Sequence, residues 1–291
     1  MRVEPGHKVL ITGAASGIGK ELAVRFARAE CHLLLVDQNE ASLNQVAQEL
    51  REQGCRVETF HCDLSRTDAV ERLAADVLHQ FGPPHILINN AGIAWYGPVM
   101  KMPLEQWDRL LGVNLHAPIR LTLLLLPRMF EYPEAHVVNM CSICGLAASS
   151  RLTAYSTSKF GLVGFSEALR GEFGRRGLGV TAVCPGPVRT AIYQHGESGS
   201  DHGKIPSPPR WTSTTPAHIA ELTFRAVQRD KRLVVVTWLA KLVYWCRSIC
   251  PGFLDAIQRI GRRRKLRQRY AEFHARQQSS QLAPEEIRRA A

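Results

Sequence analysis

The 291-residue chain is short of the features that mark exported, metal-bound or nucleic-acid-binding proteins. Near its start the apolar run from Val9 to Ile11 gives way at once to Thr12 and Gly13, too short for a signal-peptide core, so no export is expected. The 8 cysteines (31, 55, 62, 141, 144, 184, 246 and 250) lie scattered through apolar segments without disulfide-framework spacing. They are read as reduced thiols of a cytoplasmic protein. Cys141 and Cys144 have C-x-x-C spacing, yet no second Cys or His pair completes four ligands, so no metal site is expected. The net charge of +11 looks like a nucleic-acid signal until it is located. Residues 259–269 hold seven basic and no acidic side chains, so 11 − 7 leaves +4 for the rest. No recognition motif accompanies these arginines, and nucleic-acid binding is not expected.

What is present is an uninterrupted globular pattern, 45% hydrophobic and 22% charged. From residue 8 to about 236 short apolar runs alternate with longer helical stretches, which predicts βαβ units. Strands are expected over residues 8–12, 32–37, 56–61, 85–89, 135–141, 179–184 and 233–236, and helices over 19–28, 42–51, 67–81, 104–130 and 153–173. The apolar runs suit strands covered on both faces. The predicted fold is α/β: one doubly wound, Rossmann-like domain (residues 1–236) around a parallel seven-stranded sheet, followed by an amphipathic, basic helical extension (237–291). Residues 193–215 are rich in Gly, Ser, Pro and His and read as a long loop, with Thr215 and Pro216 as N-cap and first helical position.

The first strand runs into a glycine cluster containing Gly13, Ser16, Gly17, Ile18 and Gly19, where a helix opens. Glycines let the backbone approach a pyrophosphate, and the helix N-terminus offers unpaired amides and a positive dipole end. The second strand ends in Asp37, where a dinucleotide-binding unit places the carboxylate that receives the ribose 2′-hydroxyl of NAD and repels the 2′-phosphate of NADP. Gln38 and Asn39 follow, with no cation to favour that phosphate, so NAD is expected over NADP. Tyr155 and Lys159 stand at i and i+4 of a helical stretch and share a face. Tyrosine titrates near pH ~10, and a neighbouring ammonium is the means of bringing it towards neutrality.

With these residues in view, the chain resembles the short-chain dehydrogenase/reductase family over residues 8 to about 236. The likeness rests on TGAASGIG (12–19), the acidic end of strand two, Cys62-Asp63-Leu64, Asn89-Asn90-Ala91-Gly92, Asn114, Ser142, Tyr155 with Lys159, and Pro185-Gly186-Pro187-Val188 with Thr190. The resemblance implies that Asp63 and Leu64 meet the adenine and that Asn90, Ala91 and Gly92 line the adenosine side. It implies likewise that Pro185, Gly186, Val188 and Thr190 cover the nicotinamide and that Lys159 binds the ribose. Tyr155 would exchange a proton with the substrate oxygen while hydride passes between substrate carbon and nicotinamide. Ser142 would orient the oxygen, Asn114 would kink its helix and hold a water linking Lys159 to solvent, and no metal is needed. Taken singly, Asn114, Ser142 and Asp63 also have plain readings as helix bend, strand cap and turn former.

The expected reaction is the NAD-dependent interconversion of an alcohol, secondary and apolar or lipid-like, with its carbonyl compound. An NADP-dependent carbonyl reductase, or a non-catalytic cofactor-binding scaffold held by its basic tail, is the alternative. Trp95, Tyr96, Leu146, Ala147, Ala148 and Ile192, with little fixed charge, favour an apolar substrate. The resemblance implies a homodimer or homotetramer. Beyond Val236, Trp238, Leu242, Trp245, Ile249, Phe253, Ile257 and Ile260 form an apolar helical stripe, too short for a membrane span. Two readings stand for it: a lid or subunit contact with a solvated basic face, or a peripheral contact with an anionic membrane.

Overall fold

The computed structural model describes residues 1–188, 197–198, 213–249 and 252. The chain forms two compact units, Met1–Lys241 and Leu242–Ala291. The first holds seven parallel strands: β1 (Lys8–Thr12), β2 (His32–Asp37), β3 (Val57–His61), β4 (Ile86–Asn89), β6 (Ala135–Met140), β7 (Leu178–Cys184) and β9 (Leu233–Val235). They lie in the order β3-β2-β1-β4-β6-β7-β9, and every pairing is parallel. Trp95–Tyr96 (β5) and Glu197–Ser198 (β8) make a separate two-residue ladder. The doubly wound sheet expected from the alternating pattern is the one observed, with strand ends displaced by a residue or so.

Successive side chains of a strand point to opposite faces, and each face here has its own core. Val9, Ile11, Leu33 and Leu35 pack on one side with Leu22 and Phe26 of α1 (Gly17–Ala27), Leu43 and Val46 of α2 (Glu40–Arg51) and Phe224 of α7 (Pro216–Gln228). Leu10, Leu34, Leu87 and Val137 pack on the other with Val70 and Leu73 of α3 (Thr67–Phe81), Leu121 and Leu125 of α5 (Ala117–Met129) and Leu169 of α6 (Thr153–Phe173). The near-continuous apolar strands follow from this double cover. Thr215 caps α7, its hydroxyl accepting the His218 amide at 3.3 Å, with Pro216 in the first turn.

One predicted element is divided. The helical pattern over 104–130 becomes α4 (Leu104–Leu111), a π-helical turn at Gly112–His116 and α5. A π turn carries one extra residue per turn, and that distortion occurs where Asn114 faces inward to bond the backbone of Ile93. By length and composition Leu104–Met129 is apolar enough to cross a membrane. Leu110, Leu121, Leu125 and Met129 are instead buried in the protein core. A final helix, α8, spans Trp238–Ile249.

The strand order reverses between β1 and β4, and it is at such a reversal, outside the carboxyl ends of the strands, that an open α/β sheet leaves a crevice.

Candidate active site

A cavity of about 300 Å³ opens at that reversal. Its wall begins with the turn after β1. Gly13 has φ +68°, and a Cβ there would lie 2.8 Å from Ala91 Cα, so only glycine lets this turn meet the end of β4. A Cβ on Gly19 would collide with the Gly13 carbonyl oxygen. Asn90 ties the two strand ends together, its side-chain amide donating to the carbonyls of Thr12 (2.9 Å) and Gly13 (3.2 Å) while the Thr12 hydroxyl accepts the Asn90 and Ala91 amides. Asn90 thus shapes the wall rather than only facing it.

Asp37, at the end of β2, accepts the Ala15 amide on Oδ2 (3.0 Å) and the Asn39 amide on Oδ1 (2.9 Å). The glycine turn and the acidic strand end are therefore one hydrogen-bonded unit. Asp63 accepts the Ser65 amide and hydroxyl at 2.9 and 2.8 Å. Burial opposes its ionisation, but these bonds and the Arg109 charge outweigh burial and hold the carboxyl below its usual range.

Two of the four residues expected to act in catalysis, Asn114 and Lys159, lie behind this wall. A Cβ on Gly92, a cavity residue, would stand 3.3 Å from Asn114 Oδ1 and 3.5 Å from Lys159 Nζ. Asn114 is fully buried; its Oδ1 accepts the Ile93 amide (2.8 Å), and its Nδ2 donates to the Ile93 carbonyl (2.9 Å) and to Ser158 Oγ (3.2 Å). The Ser158 hydroxyl in turn donates to the Tyr155 carbonyl at 2.8 Å. Lys159 is buried, donates to the Met140 carbonyl at 2.8 Å, and has its ammonium 5.7 Å from the centre of the Tyr155 ring. Burial lowers its pKa, with Cys141, Cys184 and Cys144 opposing. Tyr155 is half-buried against an apolar cluster of Trp95, Leu110 and Ala154. Ser142 ends the segment after β6 and accepts the Cys144 amide at 3.1 Å.

The sequence pattern of the short chain dehydrogenase family matches residues 7–200. The chain belongs to the short-chain dehydrogenase/reductase family. It is similar to the dehydrogenase/reductase SDR family member 7B of Xenopus laevis, 33% identical over 257 residues that cover 86% of this chain and 80% of that protein. Among solved structures it is similar to a short chain dehydrogenase/reductase from Burkholderia phymatum in complex with NAD (TM-score 0.73, 26% identity, covering 81% of this chain and 90% of that one). It is likewise similar to a short-chain dehydrogenase from Sphingobium yanoikuyae in complex with NADPH (TM-score 0.71, 28% identity, covering 90% and 95%). It is accordingly an oxidoreductase of the NAD(P)-dependent dehydrogenase/reductase kind.

Of the residues singled out in the sequence of this short-chain dehydrogenase/reductase, Gly13, Ser16, Gly17, Ile18, Asp37, Asp63, Leu64, Asn90, Ala91 and Gly92 line this cavity together. Gly19 supports the turn from below. Pro185 accepts the Ile143 amide at 2.8 Å, Gly186 abuts Thr237, and Val188 bridges to Thr214, so these three brace the segment after β7 without lining that cavity. Thr190, the substrate-side position Ile192, most of the 193–215 loop and the basic residues 259–269 lie outside the described residues. Gln38, Ile93, Ala94, Arg109 and Val113 also line the cavity, and of these sequence reasoning passed over Arg109 and Val113. Ile93 and Ala94 simply continue the Asn-Ala-Gly motif. Arg109 and Val113 come from α4 and the π turn, and no local pattern announces them.

The wall fits a nicotinamide dinucleotide. Gly13 and Gly19 leave room for close backbone approach, the Ser16 side chain makes no capping bond to α1, and Asp37 presents a carboxylate at the strand end.

Proposed function

We propose that this oxidoreductase uses NAD to interconvert an apolar secondary alcohol and its ketone, with Tyr155 as acid/base. The observation that carries the reading is the close approach of Lys159 and Asn114 to Gly92, which joins the Tyr155 side of the site to the cavity wall. Gly13, Gly17, Ile18 and Asp37 would hold the dinucleotide, with Asp63 and Leu64 on its adenine side. When bound, it supplies the two-electron donor or acceptor.

The remaining work belongs to the side chains. Moving the Tyr155 phenol from about pH 10 to neutrality asks for roughly three pKa units, or about 4 kcal/mol. A lysine ammonium in a dry setting supplies this because it stabilises phenolate where water screens little. Burial lowers the pKa of Lys159, and a phenolate formed on Tyr155 would favour its charged form in return. Ser142 would hold the substrate oxygen beside Tyr155. Asn114 fixes the Ile93 backbone and, through Ser158, the turn of α6 that carries Tyr155. The apolar cluster around Tyr155 supports a substrate with little charge.

A second reading, an NADP-dependent carbonyl reductase, draws on Arg109, a cation on the same cavity wall. Assembly as a homodimer or homotetramer belongs to the same proposal, with Leu104, Leu123 and Leu124 exposed on α4 and α5. The test is turnover of steroid, retinoid, long-chain and small alcohols, and of their ketones, with each nucleotide, followed by nicotinamide absorbance. NAD-linked oxidation of an apolar secondary alcohol is expected. Preference for NADP would overturn the cofactor choice, and NAD binding without turnover of any compound would favour the scaffold.

A further inference from the structure

Helix α8 contains no acidic residue, and its largest apolar side chains are on the outside. Trp238, Leu242, Trp245 and Ile249 are 58%, 51%, 62% and 74% exposed. Their spacing of four, three and four residues confines them to a stripe of about 60° on the helix surface. Ala240, off this stripe, is buried at 2%. An aligned row of large apolar groups in water marks a contact surface, unlike a scatter of single exposed residues. Two of the four are tryptophans, whose apolar body and single N–H suit the boundary between acyl chains and headgroups.

What covers such a stripe is indicated by charge. Ten residues past Ile249 the sequence enters the segment 259–269, with seven basic and no acidic side chains. Lys241 adds an exposed cation within α8 itself. Apolar face and polybasic segment adjoin in sequence, as they do in helices that lie in the plane of an anionic bilayer. A second copy would bring the same surplus of positive charge, whereas an anionic surface supplies its complement, which disfavours self-association. The 12 described residues of α8 fall short of the ~20 a bilayer span needs.

We propose that α8, with the polybasic segment after it, docks this protein on the surface of an anionic lipid bilayer. The apolar stripe enters the headgroup boundary, and the arginines and lysines meet lipid phosphates and carboxylates.

The experiment is flotation of the full chain with vesicles of phosphatidylcholine alone or with added phosphatidylserine. Binding to the anionic vesicles should exceed binding to the neutral ones at least ~10-fold, since each basic group near the surface contributes several-fold. It should fall as salt is raised. Trp245→Ala, and separately Arg262→Gln with Arg263→Gln, Arg264→Gln and Lys265→Gln, should each lose most of the flotation while circular dichroism and molecular mass in solution stay those of the parent. Equal flotation with both vesicle types, or none, would overturn the proposal. A Trp245→Ala protein of smaller solution mass with unchanged flotation would give the stripe to a second copy instead and equally overturn it.

Discussion

Lys159 is buried to 3% exposure and donates to a neutral carbonyl, that of Met140. A protein keeps an ammonium in such a place at a cost, and the cost makes sense where a neighbouring group alternates between neutral and anionic forms. Lys159→Met, of similar length and without charge, is expected to lower kcat/KM at least ~100-fold at neutral pH and to shift the rising limb of the pH profile upward, since Tyr155 would then need a higher pH to ionise. A pH profile that keeps its position would contradict this. At Asp37 the issue is discrimination. Asp37→Ser removes a carboxylate that would face the 2′-phosphate, and should raise the kcat/KM ratio of NADP to NAD by about 10-fold or more; an unchanged ratio in steady-state assays would assign NAD preference elsewhere. Both residues were legible in the sequence because their meaning is local: Asp37 ends a strand, and Tyr155 and Lys159 share a helix face. Arg109 was not. It reaches the cavity from α4, and only the packing of that helix brings it near Asp63.

Among elements, the division of 104–130 shows the limit of periodicity. A π turn leaves the apolar rhythm of α4 and α5 intact on each side, so the sequence pattern reads as one helix. Asn114 was flagged by resemblance as a kink; what sequence could not supply was its partner, the backbone of Ile93, 21 positions earlier. The helix that carries the glycine turn is fastened by α7: Phe26 is fully buried and meets Phe224 edge-on at 5.1 Å, and Arg25 pairs with Glu221. Phe26→Ala should lower stability by about 3–5 kcal/mol, as a large buried aromatic does when its site cannot collapse. Urea unfolding followed by circular dichroism measures it, and a loss below about 1 kcal/mol would show that α1 is not anchored there.

At the scale of the whole molecule, the strand order brings histidines to the amino ends of neighbouring strands. His136 is fully buried on β6, its Nε2 2.8 Å from Thr181 Oγ1, and burial pushes its pKa down to about 3. His85, stacked between His7 and Tyr132, is pushed down to about 4, again by burial. Both are neutral in the folded protein at a pH where the unfolded chain, with histidine near 6.5, takes up protons. The unfolded state is thus the more protonated one below about pH 6.5, and stability must fall as pH falls from there towards 4 and below. His136 alone steepens the loss by up to about 1.4 kcal/mol per pH unit. His136→Asn should flatten the dependence of urea midpoints between pH 7 and 5 relative to the parent; parallel curves would show that His136 does not titrate on unfolding.

The doubly wound parallel sheet was legible as a class from the alternating pattern, because strands buried on both faces read as near-continuous apolar runs, whereas the strand order came only from the structure. The Tyr155 phenol is the centre of the account. Tyr155→Phe keeps the ring against Trp95 and Leu110 and removes one hydroxyl, so the most direct test compares turnover with dinucleotide binding in this variant. The account predicts that kcat falls by at least ~1,000-fold while the Kd for NAD stays within about threefold. Turnover preserved alongside intact NAD binding would contradict it.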